Sequence, residues 1–118
     1  MSKIEVRTTT PEIALVGNPN AGKTTIFNGL TGNSQRVGNW PGVTVERSEG
    51  VIRYRGRNVR VIDLPGIYSI NAATEDERIA RDYILSGSAQ VLVNVVDATN
   101  LERNLYLTTQ LIDMDLKV

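Results

Sequence analysis

The residues Gly17-Asn18-Pro19-Asn20-Ala21-Gly22-Lys23-Thr24 constrain this chain more than any other feature. They follow a short apolar run, Ile13-Ala14-Leu15-Val16, and precede a segment with Ile26, Phe27 and Leu30 at helical spacing. A Gly-x-x-x-x-Gly-Lys-Thr pattern between a strand and a helix is a phosphate-binding loop. On average composition, a chance match in a chain this short is on the order of a few in a thousand. Gly17 and Gly22 let the backbone turn tightly and come close to phosphate oxygens. The loop amides and the helix N-terminus then turn their positive ends toward the anion. Lys23 adds a charge at the β and γ phosphates, and the Thr24 hydroxyl ligates magnesium. The expected ligand is a nucleoside triphosphate with Mg²⁺. The loop alone does not choose between ATP and GTP, or between hydrolysis and kinase chemistry.

Composition narrows the chemistry further. There is no cysteine and no histidine among the 118 residues. Disulfides, thiolate metal sites and a cysteine nucleophile are excluded within this chain, and any metal must be held by oxygen. The net charge is zero, so no global field favours nucleic acid, which is not an expected partner. No apolar run approaches the roughly 20 residues that span a bilayer, and Met1 to Val6 lacks a signal-peptide core. The expectation is a soluble, cytoplasmic domain over residues 12–118, preceded by a flexible leader over 1–11.

Along the chain, Ile13 to Val16 reads as a buried strand and Thr24 to Thr31 as a helix closed by Gly32. Residues 33–44, with Gly38, Pro41 and Gly42, read as a long loop of the kind that carries function. Val45 to Tyr54 and Asn58 to Asp63 read as a hairpin turning at Arg55-Gly56-Arg57. Thr74-Glu75-Asp76-Glu77 is a capping box opening a helix with Ile79, Ala80, Tyr83 and Ile84 on its apolar face. Val91 to Asp97 reads as a strand apolar on both faces, as central parallel strands are. Thr99 to Glu102 reads as a second capping box, opening a helix whose inward side carries Leu101, Leu105 and Ile112, with Leu111 and Met114 beside them. Leu116 to Val118 is read as the start of a further strand. This order predicts an α/β fold with a mostly parallel sheet and one antiparallel strand. Arg53, Arg55, Arg57 and Arg60 read as a solvated hairpin face.

A triphosphate site needs a carboxylate near the magnesium, at a strand end beside the loop. Asp63 and Asp97 both end apolar strands. Asp63 is followed by Leu64-Pro65-Gly66, and Gly66 can offer an unhindered amide to a γ-phosphate. Asp97 has no glycine at that offset and reads as a cap for the next helix. Thr44, in the long loop, is a candidate to complete the metal shell.

With the stretches Gln35 to Arg47 (containing Gly38-Asn39-Trp40-Pro41-Gly42-Val43-Thr44), Asp63 to Gly66 and Asn94 to Leu107, the chain from about Pro11 onward closely resembles the N-terminal G domain of FeoB-type ferrous iron transporters. The resemblance implies a P-loop NTPase of the Ras-like G-domain type that binds GTP or GDP and hydrolyses GTP slowly. It implies that Thr44 is the switch I magnesium ligand, alongside Thr24 and Asp63, and that Asp63 to Gly66 is switch II. Nucleotide contacts are expected from Asn18, Pro19, Asn20, Ala21, Gly22, Lys23, Thr24 and Thr25, and from Gly42, Val43, Thr44, Asp63 and Gly66. Lys23, Thr44 and Gly66 are expected to assist catalysis. Asn20 with the backbone carbonyls of Gly38 and Trp40 would correspond to a K⁺ site; the local alternatives are a loop-bracing Asn20 and a partly exposed Trp40. The implied partners are a helical domain and a transmembrane iron-permease domain at the cytoplasmic face of the cell membrane.

The chain departs from the Ras-like pattern at two places. Ile67 stands where Ras-like domains carry a water-orienting glutamine. The guanine-reading Asn-x-x-Asp motif, expected after the next strand, is not in this sequence, so the C-terminal part of a G domain is expected to be missing and oligomerisation through an exposed edge is possible. Three functions follow: a slow GTPase switch governing Fe²⁺ uptake, a nucleotide-binding module with negligible turnover, or a potassium-dependent GTPase of ribosome or tRNA maturation. The Trp40-to-Thr44 and Asn100-to-Leu107 signatures argue against the third.

Overall fold

The computed structural model describes residues 10–118; most of the expected leader lies outside the described residues. Five strands, β1 (Glu12–Gly17), β2 (Arg36–Asn39), β3 (Glu46–Tyr54), β4 (Arg57–Asp63) and β5 (Val91–Val95), form one sheet in the order β2-β3-β4-β1-β5. Three helices, α1 (Lys23–Thr31), α2 (Glu75–Ser86) and α3 (Leu101–Asp113), connect them. β4, β1 and β5 run parallel, and β3 runs antiparallel to both neighbours. The single antiparallel strand agrees with the sequence reading.

The two faces of β1 separate two cores. Leu15 meets Phe27 of α1 and Val61 of β4 on one side. Ala14 and Val16 meet Ile62, Leu92, Ala80 and Ile84 of α2, and Leu107 and Leu111 of α3 on the other. The period-2 alternation of a strand is the cause: successive side chains point to opposite faces. β3 and β4 are joined by a two-residue turn in which Arg55 (φ 52°) and Gly56 (φ 77°) are both left-handed, the backbone twist that suits a tight hairpin.

The capping box at Thr74 forms. Its hydroxyl accepts from the Glu77 amide at 3.1 Å, and the Glu77 carboxylate accepts from the Thr74 amide at 3.2 Å. Gly87 closes α2 at φ 75°, where a Cβ is disfavoured.

Several expectations are corrected. Residues 33–44 are not one loop: a 3₁₀ turn covers Gly32–Ser34 and β2 pairs with β3. β2 is exposed throughout, so burial periodicity carried no trace of it; backbone pairing with β3 creates it. The second capping box does not form, and Asn100 occupies the N-cap of α3 without a side-chain bond. Asp97 instead takes the Thr99 amide at 2.9 Å, capping a 3₁₀ turn over Ala98–Asn100. β5 is an edge strand of this sheet with Val93 exposed, not a central strand covered on both faces. Leu116 to Val118 form no strand, although the Lys117 carbonyl accepts from the Leu92 amide at 2.9 Å.

The inward face of α3 is also corrected. Leu101, Leu105 and Ile112 are exposed, while Asn104, Leu107 and Leu111 are buried. Asn104 disguised the buried stripe. It is tolerated there because its amide donates to the Asn100 carbonyl and accepts from the Asp97 amide, which offsets desolvation. On α1 only Phe27 of the three apolar residues is buried; Ile26 and Leu30 are exposed.

Candidate functional site: a phosphate loop braced by strand ends

β1 delivers the glycine loop to the strand ends of the sheet, and α1 begins at once behind it. Gly17 sits where a Cβ would stand 2.6 Å from the Val95 carbonyl oxygen, so β1 and β5 approach too closely for any side chain. Gly22 holds the α1 N-cap at φ 95°, open to glycine and strained for other residues. The first amides of α1 have no intrahelical acceptors by geometry and open onto a cavity of about 320 Å³ lined by Asn20, Gly22, Lys23, Thr24 and Thr25. Thr24 and Thr25 are exposed there, as is Asn20.

Lys23 is only 8% exposed. Its Nζ donates to Asp63 Oδ1 at 3.0 Å, which joins the loop to the end of β4. Gly66 follows directly: a Cβ there would stand 2.7 Å from Pro19 Cα, so its backbone lies flat on the loop. The Ile67 amide donates to the Gly17 carbonyl at 2.9 Å, and its side chain is fully buried in the larger core. The loop, Asp63 and Gly66 are therefore brought together as the sequence reading expected.

The segment beyond Gly66 is pinned to both helices. The Glu77 carboxylate accepts from the Tyr68 amide at 3.1 Å, and the Gln110 side chain accepts from the Ile70 amide at 2.9 Å. The Arg103 guanidinium lies 4.1 Å from the Tyr68 ring centroid. The hydrogen bond from Tyr68, with those from Ala73 and Thr74, holds the Glu77 carboxyl below its usual pKa against a smaller opposing desolvation. Asp97 is lowered by its side-chain and backbone bonds to Thr99.

The residues of the 38–44 segment are not among those lining the phosphate cavity. Gly38 and Thr44 are exposed, and neither they nor Gly42, Val43 and Trp40 line the phosphate cavity. Trp40 is buried in the α2-side core. Its carbonyl accepts from the Val43 amide at 3.2 Å, closing a turn with Pro41 second and Gly42 (φ 77°) third, the pattern of a type II turn.

Some long-range contacts escaped the sequence reading. Glu12 is buried, takes the Arg60 guanidinium at 2.6 Å and accepts from the Tyr83 hydroxyl. Burial, then the bond to Glu12, pushes the Tyr83 phenol up. No local pattern marks these partners, because they lie 48 and 71 residues from Glu12. Asn18 is 3% exposed, and neither polar atom of its side chain has a partner among the described residues.

A glycine loop between β1 and α1, a lysine–aspartate pair at the strand ends and a mostly parallel sheet define a P-loop nucleotide-binding domain of the G-domain type. Comparison with known proteins makes the assignment particular. The family model for ferrous iron transport protein B (FeoB_N) matches residues 11–118. The Fe(2+) transporter FeoB of Methanocaldococcus jannaschii is 61% identical over 103 residues, 87% of this chain and 15% of that protein. The Escherichia coli K12 Fe(2+) transporter FeoB is 59% identical over 106 residues, 86% and 14% respectively. The crystal structure of the G domain of T. maritima FeoB superposes with a TM-score of 0.86 at 50% identity, covering 90% of this chain and 67% of that one. A mutant of S. thermophilus NFeoB bound to mGDP superposes with a TM-score of 0.82 at 59% identity, covering 89% and 40%. The chain belongs to the FeoB family, as part of its G domain. It spans about one seventh of the length of these curated relatives. No helix among the described residues is long and apolar enough to cross a membrane.

Proposed function

We propose that this chain binds guanine nucleotide and hydrolyses GTP slowly, as a switch that regulates Fe²⁺ uptake by a membrane transporter. The observation that carries the reading is the convergence of Lys23, Asp63 and the Gly66 backbone on one glycine loop at the N-terminus of α1. A relative of 59% identity with bound mGDP supports guanine as the base.

The donor set suits magnesium. Among the described residues no group of three or more acidic, histidine or cysteine side chains gathers. One carboxylate, Asp63, bonds Lys23, which lines the cavity of Thr24; a hard oxygen set there would be completed by phosphate and water. Thr24, Asp63 and Thr44 would hold Mg²⁺, and Asn20 with the Gly38 and Trp40 carbonyls would hold K⁺. Bound there, the two cations would neutralise charge developing on the phosphates. The chain's own residues do the rest. Lys23 exchanges Asp63 for the β and γ phosphates, loop amides orient the anion, and the Gly66 amide faces the γ-phosphate. Thr44 reaches the site only if the 38–44 segment leaves its present position. In the whole protein, a helical domain and a transmembrane permease domain at the cytoplasmic face would receive the signal.

A second reading, a binding module with negligible turnover, is favoured by one observation. Ile67 has 0% exposure, so no side chain at that position orients a water. Titration with labelled GTP, GDP and ATP in Mg²⁺, followed by phosphate release in K⁺ and in Na⁺, separates the cases. GTP and GDP binding with faster release in K⁺ supports the switch. Binding without release in either salt supports the module, and preference for ATP sinks both.

A further inference from the structure

Trp40 is the only tryptophan of the chain, and it is 9% exposed in the core on the α2 side of the sheet. Its ring meets the Tyr83 ring of α2 edge-on, with centroids 5.7 Å apart at 71°. The Arg47 guanidinium of β3 lies 5.0 Å from its centroid. Backbone bonds lock the same spot: the Trp40 amide donates to the Val45 carbonyl at 2.9 Å, and the turn from Trp40 to Val43 leaves Thr44 exposed. Neither Tyr83 nor Arg47 lines the phosphate cavity.

We infer that Tyr83 and Arg47 set the selectivity of the nucleotide site between di- and triphosphate, by holding Trp40 where Thr44 stays outside the phosphate cavity. This rests on the nucleotide-binding reading above. A diphosphate needs only the loop, which is complete with Trp40 seated. A triphosphate that recruits Thr44 must first unseat Trp40, so its apparent affinity scales with the fraction of molecules already unseated.

The seat is built to be left. Trp40 Nε1 and Arg47 Nε are both buried without an acceptor among the described residues. Unmet donors of this kind oppose the apolar gain of burying the ring, which narrows the gap between the seated and unseated states. A cavity of about 680 Å³, bounded in part by Trp40, Arg47, Glu12, Arg60, Ile79 and Tyr83, borders the residue.

Because Trp40 is the sole indole, its emission reports its own seat. The test measures emission and affinity for GDP and for a non-hydrolysable GTP analogue, with Mg²⁺, in the wild type and in Tyr83→Ala, Arg47→Ala and Tyr83→Phe. Expected is blue, buried emission with GDP and red-shifted emission with the analogue. Tyr83→Ala and Arg47→Ala should be red-shifted without nucleotide and bind the analogue about tenfold tighter, the gain from a tenfold larger competent fraction, with GDP affinity within about twofold of wild type. Tyr83→Phe keeps the ring and should behave as wild type. If Tyr83→Ala does not fold, Arg47→Ala carries the same test. Emission that stays blue while the analogue binds overturns the inference, as do variants that change both affinities equally. Absence of binding by both nucleotides in every variant overturns the nucleotide reading itself, and this inference with it.

Discussion

Lys23 and Asp63 form an ion pair with side chains 10% and 13% exposed, so removing either leaves the other without its partner where little water reaches. Lys23→Met should cost about 1–3 kcal/mol in urea unfolding, since it strands a partly buried carboxylate. Adding Asp63→Asn should recover part of that loss, because removing both charges removes the unpaired group. Both variants should lose nucleotide binding. Glu77 offers a pH prediction. Its carboxyl is held below the ordinary value of 4.5, first by the Tyr68 amide. The unfolded chain therefore takes up this proton at a higher pH than the native one. Its contribution is present above about pH 4.5 and is lost as pH falls through the depressed native value. Glu77→Gln should flatten that acid slope while keeping a side-chain oxygen for the capping box, read by denaturant melts across pH. The glycine loop, Asp63 and Gly66 were legible at this scale because a short motif specifies them. Glu12 with Arg60 and Tyr83, and the seat of Trp40, were not, because each pairs residues that only the fold brings together.

At the scale of elements, α3 separates pattern from packing. Leucine and isoleucine occur around much of its circumference, so composition alone admits two inward faces. The sheet selects Leu107 and Leu111. Leu107→Ala or Leu111→Ala should cost about 2–5 kcal/mol, whereas Leu101→Ala or Ile112→Ala should stay within about 0.5 kcal/mol, as measured by chemical denaturation. Comparable losses at all four would restore the face that spacing suggests. Gly66 is decided between elements too. Gly66→Ala drives a Cβ into Pro19 backbone and ring atoms at 2.7 and 2.8 Å. It should lower stability by about 1–3 kcal/mol through forced displacement of the loop or the switch segment. α2, by contrast, was readable end to end: Thr74 and Glu77 start it and Gly87 stops it, all through contacts within a few residues. β2 was unreadable because its four residues are exposed and acquire strand geometry only by pairing with β3.

For the whole molecule, the sheet ends in two unequal edges. β2 is polar at Arg36 and Asn39, with one apolar side chain, Val37, exposed. At the other edge β5 exposes Val93, and its Leu92 amide is taken by the Lys117 carbonyl. A strand edge that is only partly covered and carries an exposed apolar side chain favours self-association. Sedimentation velocity should show a concentration-dependent shift that Val93→Lys reduces; a concentration-independent wild type would refute this. Apart from β2, the order of the strands and helices of the sheet, the phosphate loop and its setting, and the FeoB-like stretches were all determined by the sequence itself, because each depends on residues close together in the chain. The buried side of α3, the strand nature of β2, the partner of Lys23 and the seat of Trp40 were decided only by the tertiary structure. Each is a competition between surfaces that local patterning leaves nearly equal, and long-range burial and pairing determine the outcome.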